Sequence, residues 1–132
     1  TMRDWTLTLL RVVSALLFMQ HGAQKLFGVL GGNQVESLAS QFGLAGVLEV
    51  GGGLLILLGL FTRPVAFLLS GEMAVAYFQF HFPSSFWPIQ NRGEVPILFC
   101  FIFLFLAAQG AGPLSLDALL ARRRGTAGDP AT

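Results

Sequence analysis

The chain has 132 residues and a formal net charge of +1, with 54% apolar and 11% charged residues. So few charges cannot cover a soluble domain, where about a quarter of residues are charged, and a mean hydropathy of +0.68 points to a polytopic membrane protein. The near-neutral balance with no clustered basic face argues against nucleic acid as a partner, and the single cysteine, Cys100, excludes a disulfide framework, a C-x-x-C redox pair and a cysteine-based zinc site.

The first apolar run, residues 5–27, is long enough to span a hydrocarbon core of roughly 30 Å. Arg11 interrupts it and no small-x-small cleavage site follows, so it reads as a retained span and not a signal peptide. The second run, 45–61, contains Glu49 and ends at Thr62-Arg63-Pro64, where a cation and a proline mark a tight turn. The third, 65–82, stops at Pro83-Ser84-Ser85 before Trp87-Pro88, as expected of an interfacial loop anchored by aromatic rings. The fourth, 95–108, opens with Glu94 and Pro96, both suited to a first helical turn. Its Phe99, Phe101, Phe103 and Phe105 alternate like a strand, but an isolated strand cannot satisfy its backbone in lipid, so a helix is expected.

Beyond the fourth run, Ser115 is a candidate N-cap, and 115–124 reads as a short amphipathic helix on the cytoplasmic interface. Residues 125–132 read as a disordered tail. The expectation is an all-α integral membrane four-helix bundle, one domain over 1–124. Arg3, Arg63, Arg122, Arg123 and Arg124 fall at one set of ends, against Lys25 and Arg92 at the other, so the positive-inside rule favours N-in/C-in in a bacterial cytoplasmic membrane.

An ionisable group in hydrocarbon costs a few kcal/mol, so each one is a functional hypothesis. On the first span Arg11, Ser14, Phe18, His21 and Lys25 recur at steps of three and four, forming one stripe toward the bundle interior. With N-in topology, His21, Lys25, Glu49, His81 and Glu94 converge near the outer ends of the spans, with Tyr77 one turn below His81. Glu49 and Glu94 are suited to taking up and releasing protons, His21 and His81 to hydrogen bonding or proton shuttling, and Lys25 to neutralising Glu49 or holding an oxyanion. Such a set fits a quinone headgroup, or a similar planar oxygen-bearing ligand, in a lipid-accessible pocket.

Blander readings stand beside this one. Lys25 and Arg92 can snorkel to headgroups, and the histidines can serve as interhelical hydrogen-bond glue. No helical ligand pair suggests a metal. Glu72, near the middle of the third span and turned away from Tyr77 and His81, is expected to pair with Arg11 or to lie in an oligomer interface. The glycines of the second span, Gly46, Gly51, Gly52, Gly53 and Gly59, are read as close-packing positions. Cys100, amid phenylalanines, is expected to be inert.

The runs LFMQHGAQKLFG (17–28), LEVGGGLLILLGLFTRPVA (48–66), EMAVAYFQFH (72–81) and GAGPLSLD (110–117) together resemble the DoxX family of small bacterial membrane proteins, in order and across nearly the whole chain. The resemblance implies a four-helix membrane domain related to the small subunit of thiosulfate:quinone oxidoreductase, in a family associated with quinone, catechol and sulfur redox metabolism. The family's polar positions fall on His21, Lys25, Glu49, His81 and Glu94. One departure is Ala111-Gly112-Pro113-Leu114, where the family more often shows Gly-Pro-Gly before an aromatic.

The leading expectation is a membrane redox subunit that binds a non-covalent quinone at the outer cluster and receives electrons from a partner enzyme, since no heme, flavin or Fe–S motif is present. The alternatives are a non-catalytic scaffold or assembly factor for a redox enzyme, supported by the glycine-rich face and basic tail, and a small-molecule or proton carrier using Glu72. Homo-oligomerisation is open under each.

Overall fold

The computed structural model describes residues 1–125, and among these every regular element is helical. Of the expected tail at 125–132, residues 126–132 lie outside the described residues. Helix α1 (Met2–Phe27), α2 (Gln41–Leu58) and α3 (Thr62–Ser84) are each long and apolar enough to cross a membrane. A short α4 (Pro88–Asn91) leads into α5 (Glu94–Gln109), which is apolar but only 16 residues long, and α6 (Leu116–Arg123) closes the described chain.

The helix ends carry the signals that set them. Thr1 accepts from the Asp4 backbone N–H and Asp4 reaches back in a reciprocal capping box, which starts α1 ahead of the apolar run at residue 5. Ser40 caps α2 by accepting from Gly43, so α2 begins before residue 45. The turn between α2 and α3 is placed differently from the Thr62-Arg63-Pro64 expectation. It falls at Gly59, Leu60 and Phe61, where Gly59 (φ 68°) and Phe61 (φ 52°) are left-handed, and Pro64 sits inside the first turn of α3, where proline is tolerated.

Ala15, Phe18, Ile56, Ala66, Leu69, Phe99, Phe103 and Leu106 form one core between the long helices. The phenylalanine repeat of α5 resolves by helical geometry: Phe99 and Phe103 are buried one turn apart, while Phe101 and Phe105 face outward. Phe18 meets both buried rings edge-on at 5.3 and 4.8 Å, an arrangement worth about 1 kcal/mol per pair beyond area burial. Most of the remaining surface of the long helices is apolar: Leu16, Leu17, Leu54, Phe67, Leu68 and Phe101 are all exposed. A soluble molecule does not present such a continuous apolar exterior; helices that satisfy their own backbone and expose Leu, Val and Phe belong in hydrocarbon.

Glycine allows α1 and α2 to approach closely. A Cβ on Gly22 would lie 2.8 Å from Glu49 Cβ and from the Val50 backbone, and one on Gly53 would collide with Met19 Cγ.

At the opposite end, α6 is tied down. Ser115 caps it by accepting from Ala118, as its sequence suggests. Asp117 then turns inward. Its carboxylate accepts from the backbone N–H groups of Phe61 at 2.8 Å and Thr62 at 3.0 Å, and its own N–H donates to Gly59 O. The helix is thereby latched to the α2–α3 turn through a buried carboxylate, while Arg122 and Arg123 remain exposed.

Candidate functional site

Two π-helical turns shape the end of the molecule that carries Lys25. One, Leu48–Gly52, lies in α2 and contains Glu49; the other, Tyr77–His81, lies in α3 and ends on His81. A π turn spreads i→i+5 bonds over an extra residue and often marks a functional site. Here each turn presents one polar side chain to the space between the helices.

The centre of that space is an ion pair. Lys25 Nζ lies 2.6 Å from Glu49 Oε1; Glu49 is 2% exposed, Lys25 27%. Lobes of about 370 and 240 Å³ adjoin it, and Lys25, Glu49, Met73, Ala76 and His81 line both. The larger opens between α2 and α3, walled by Phe42, Leu44, Leu48, Val75 and Phe80. The smaller lies toward α1 and α5, walled by Phe18, Val95, Pro96 and Phe99, with His21 on its rim. His21 stands edge-on to Phe99 at 6.1 Å. A larger groove of about 740 Å³, between Asp4, Leu7 and Phe105 at the far end, contains none of these groups.

His81 is held in one orientation. Its Nδ1 lies 2.9 Å from the Asn91 carbonyl oxygen. A carbonyl only accepts, so Nδ1 carries the proton, and in the neutral ring Nε2 is left as an acceptor. Asn91, 4% exposed, organises this corner. Its Nδ2 donates to Tyr77 Oη at 3.1 Å and to Ser85 O, and its Oδ1 accepts from Gly93 N. Sequence reasoning passed over Asn91. The available signal was the Asn-Arg-Gly stretch at 91–93, a turn chemistry that puts an amide beside freed backbone groups.

The remaining predicted residues fall as follows. Tyr77 lines neither lobe; it stacks against His81 at 6.4 Å and hydrogen-bonds Asn91, bracing the histidine from behind. Glu94 is exposed at the start of α5 and lines neither lobe. Glu72 is brought in. It lines the larger lobe beside Glu49, and its Oε1 is buried without a hydrogen-bond partner. In a regular α-helix Glu72 and His81 would be about half a turn apart. The π turn at 77–81 winds more slowly per residue and removes much of that angle, so both face one cavity.

The expected pairing of Arg11 with Glu72 is corrected by the same geometry. Arg11, 3% exposed, donates from Nη1 to Ala111 O and from Nη2 to Leu114 O at 2.9 Å and Leu57 O at 3.5 Å. Its guanidinium fork satisfies carbonyls of the α5–α6 connection and lies within electrostatic reach of Asp117. A planar group with several fixed donors suits a cluster of turn carbonyls. Cys100 lies beside Ser70, whose Oγ donates to the Cys100 carbonyl at 2.8 Å.

The mouth of the larger lobe is bridged by side chains not anticipated from sequence. The amides of Gln41 and Gln79 exchange hydrogen bonds at 2.6 and 3.1 Å, and the Phe42 and Phe80 rings meet at 5.1 Å.

Comparison with known proteins agrees with the helical membrane architecture. A protein described as uncharacterized from Haemophilus influenzae is 41% identical over 122 residues, covering 87% of this chain and 90% of that one. The Escherichia coli inner membrane protein YqjF is 32% identical over 123 residues, covering 86% and 90%. No solved structure matches. The DoxX family model matches residues 6–82, the segment that supplies Lys25, Glu49, Glu72 and His81, and the chain belongs to the DoxX family of membrane proteins.

Proposed function

We propose that the chain is a quinone-binding membrane subunit of an oxidoreductase system, its cavity taking the headgroup of a quinone or a similar planar molecule with carbonyl oxygens. The observation that carries this reading is the wall shared by the two lobes, where the Lys25–Glu49 pair and His81 face a space otherwise lined by apolar and aromatic side chains. Lys25 Nζ has donors beyond the one given to Glu49, and they suit a carbonyl oxygen. His81 Nε2 accepts from a hydroxyl when the ring is neutral and donates to a carbonyl when it is charged. Phe18, Phe42, Phe80 and Phe99 offer faces and edges to a flat ring. A few hundred Å³ is the usual size of a small-molecule site.

A bound quinone supplies the electron-accepting chemistry, and a partner enzyme supplies the electrons. The chain's own groups hold the oxygens and carry protons at Glu49 and His81. We place the protein in the bacterial inner membrane, where the similar protein YqjF is named as residing. The end of the molecule that carries Arg3, Arg63 and Arg122 to Arg124 faces the cytoplasm in this arrangement. Helix α5 then crosses as the fourth span, its roughly 24 Å length accommodated by modest local thinning of the bilayer.

The test is titration of a tail-less benzoquinone or naphthoquinone into the purified protein in nanodiscs, with Glu49→Gln and His81→Ala alongside and folding followed by thermal melting. Saturable binding that weakens about tenfold or more in folded variants is expected from loss of a charged hydrogen bond. Absence of binding to the wild type, or equal binding in both variants, overturns the reading.

A further inference from the structure

An apolar groove on the outside of the α2–α3 pair leads away from the polar cavity. It has a volume of about 510 Å³ and is lined by Leu48, Pro64, Phe67, Leu68, Gly71 and Val75, together with Glu72. Leu48, Glu72 and Val75 also line the larger lobe, so cavity and groove meet at these side chains. From Glu72, near the middle of α3, to Pro64 in its first turn the groove runs about 12 Å, toward the end of the molecule that carries the α2–α3 turn. Its floor is open at Gly71. A Cβ there would meet nothing within 4 Å, so no packing within the chain calls for glycine, although glycine is less favourable than alanine in a helix interior.

We infer that the ligand is an amphiphile with a hydrocarbon tail: the headgroup sits beside Lys25, Glu49 and His81, and the tail leaves past Glu72 into the lipid-facing groove over Gly71. The inference rests on the proposed headgroup site and narrows its substrate class to molecules that stay in the bilayer, excluding water-soluble planar compounds that enter and leave from the aqueous side. Adjacency selects this occupant. The polar chamber and the apolar groove lie on two sides of the same three side chains, Leu48, Glu72 and Val75, and a polar head joined to an apolar tail needs both parts at this separation. Phe67 and Leu68, exposed at 68% and 54%, flank the path on α3 and provide the contact that the tail shares with surrounding lipid.

The experiment compares a tail-less quinone with the same headgroup bearing a long isoprenoid chain, in nanodiscs at fixed quinone-to-lipid ratio. It uses the wild type, Gly71→Leu, and Leu98→Phe as a bulk increase elsewhere on the lipid-facing surface. Gly71→Leu is expected to weaken the tailed quinone about tenfold by filling its apolar contact, leaving the tail-less quinone within about twofold, while Leu98→Phe changes neither. If the tail-less quinone binds but Gly71→Leu leaves the tailed one unchanged, or weakens both alike, the tail path is overturned and the headgroup site stands. If the tail-less quinone does not bind the wild type, the headgroup site falls and the tail path, which rests on it, falls with it.

Discussion

The Lys25 ammonium and the Glu49 carboxylate meet at 2.6 Å on the wall that divides the two lobes, with Glu49 almost fully buried and Lys25 partly open. Removing one partner strands the other in a low-dielectric site, which costs more than the net value of the pair. Lys25→Met is therefore expected to lower stability by roughly 1–3 kcal/mol, and the double variant Lys25→Met with Glu49→Leu to recover much of that loss. Unfolding curves for the singles and the double, read as a cycle, check this; additive losses would show that the two groups act independently.

Glu72 shares the cavity and lies within side-chain hydrogen-bonding reach of Glu49, but takes no part in the ion pair. Its Oε1 has no hydrogen-bond partner, and an amide of the same shape can still donate to the Glu49 carboxylate, so the replacement gives up little. Glu72→Gln is expected to melt within a few degrees of the wild type, in contrast to Glu49→Gln. A loss as large as that of Glu49→Gln would mean that Glu72 has a structural partner of its own.

At the far end, Asp117 caps the start of α3 across the chain. Asp117→Ala is expected to cost about 1–2 kcal/mol, the upper part of the range for a lost N-cap, and Asp117→Asn less, since one acceptor oxygen remains. The local signature is release of α6: limited proteolysis should cut earlier around residues 110–116 in Asp117→Ala than in Ser115→Ala.

Two glycines of the site region separate packing from propensity. Gly22→Ala drives a methyl to 2.8 Å from Glu49 Cβ and the Val50 backbone, so it is expected to push α1 from α2, destabilise the protein and disturb the ion pair. Gly51→Ala meets nothing within 4 Å and is expected to stabilise by up to about 1 kcal/mol through helix propensity. Parallel melting curves decide; equal destabilisation of both would contradict the packing geometry.

The membrane class and the sequence of helices were legible because hydrocarbon demands long apolar segments with self-satisfied backbones, a requirement written directly into residue type. Lys25, Glu49 and His81 were legible for a related reason: an ionisable group within an apolar run is costly and stands out. Glu72 and Arg11 were just as visible as polar residues, yet their partners could not be read. Periodicity of 3.6 residues assigned Glu72 to the wrong face, because a π turn is a local change of winding with no compositional mark. Arg11 finds carbonyls near residues 111 and 114, and backbone acceptors are the same at every position, so nothing in the residue types announces them. Asn91 and Tyr77 act on the site only by bracing His81, a relation between the π turn of α3 and the end of α4. Composition and pattern thus determined what kind of solvent the chain occupies and which charged groups are buried in it. Tertiary structure alone decided which of them meet, because helix winding, close approach at Gly22 and Gly53, and hydrogen bonds to backbone depend on three-dimensional geometry and not on the identity of neighbouring residues.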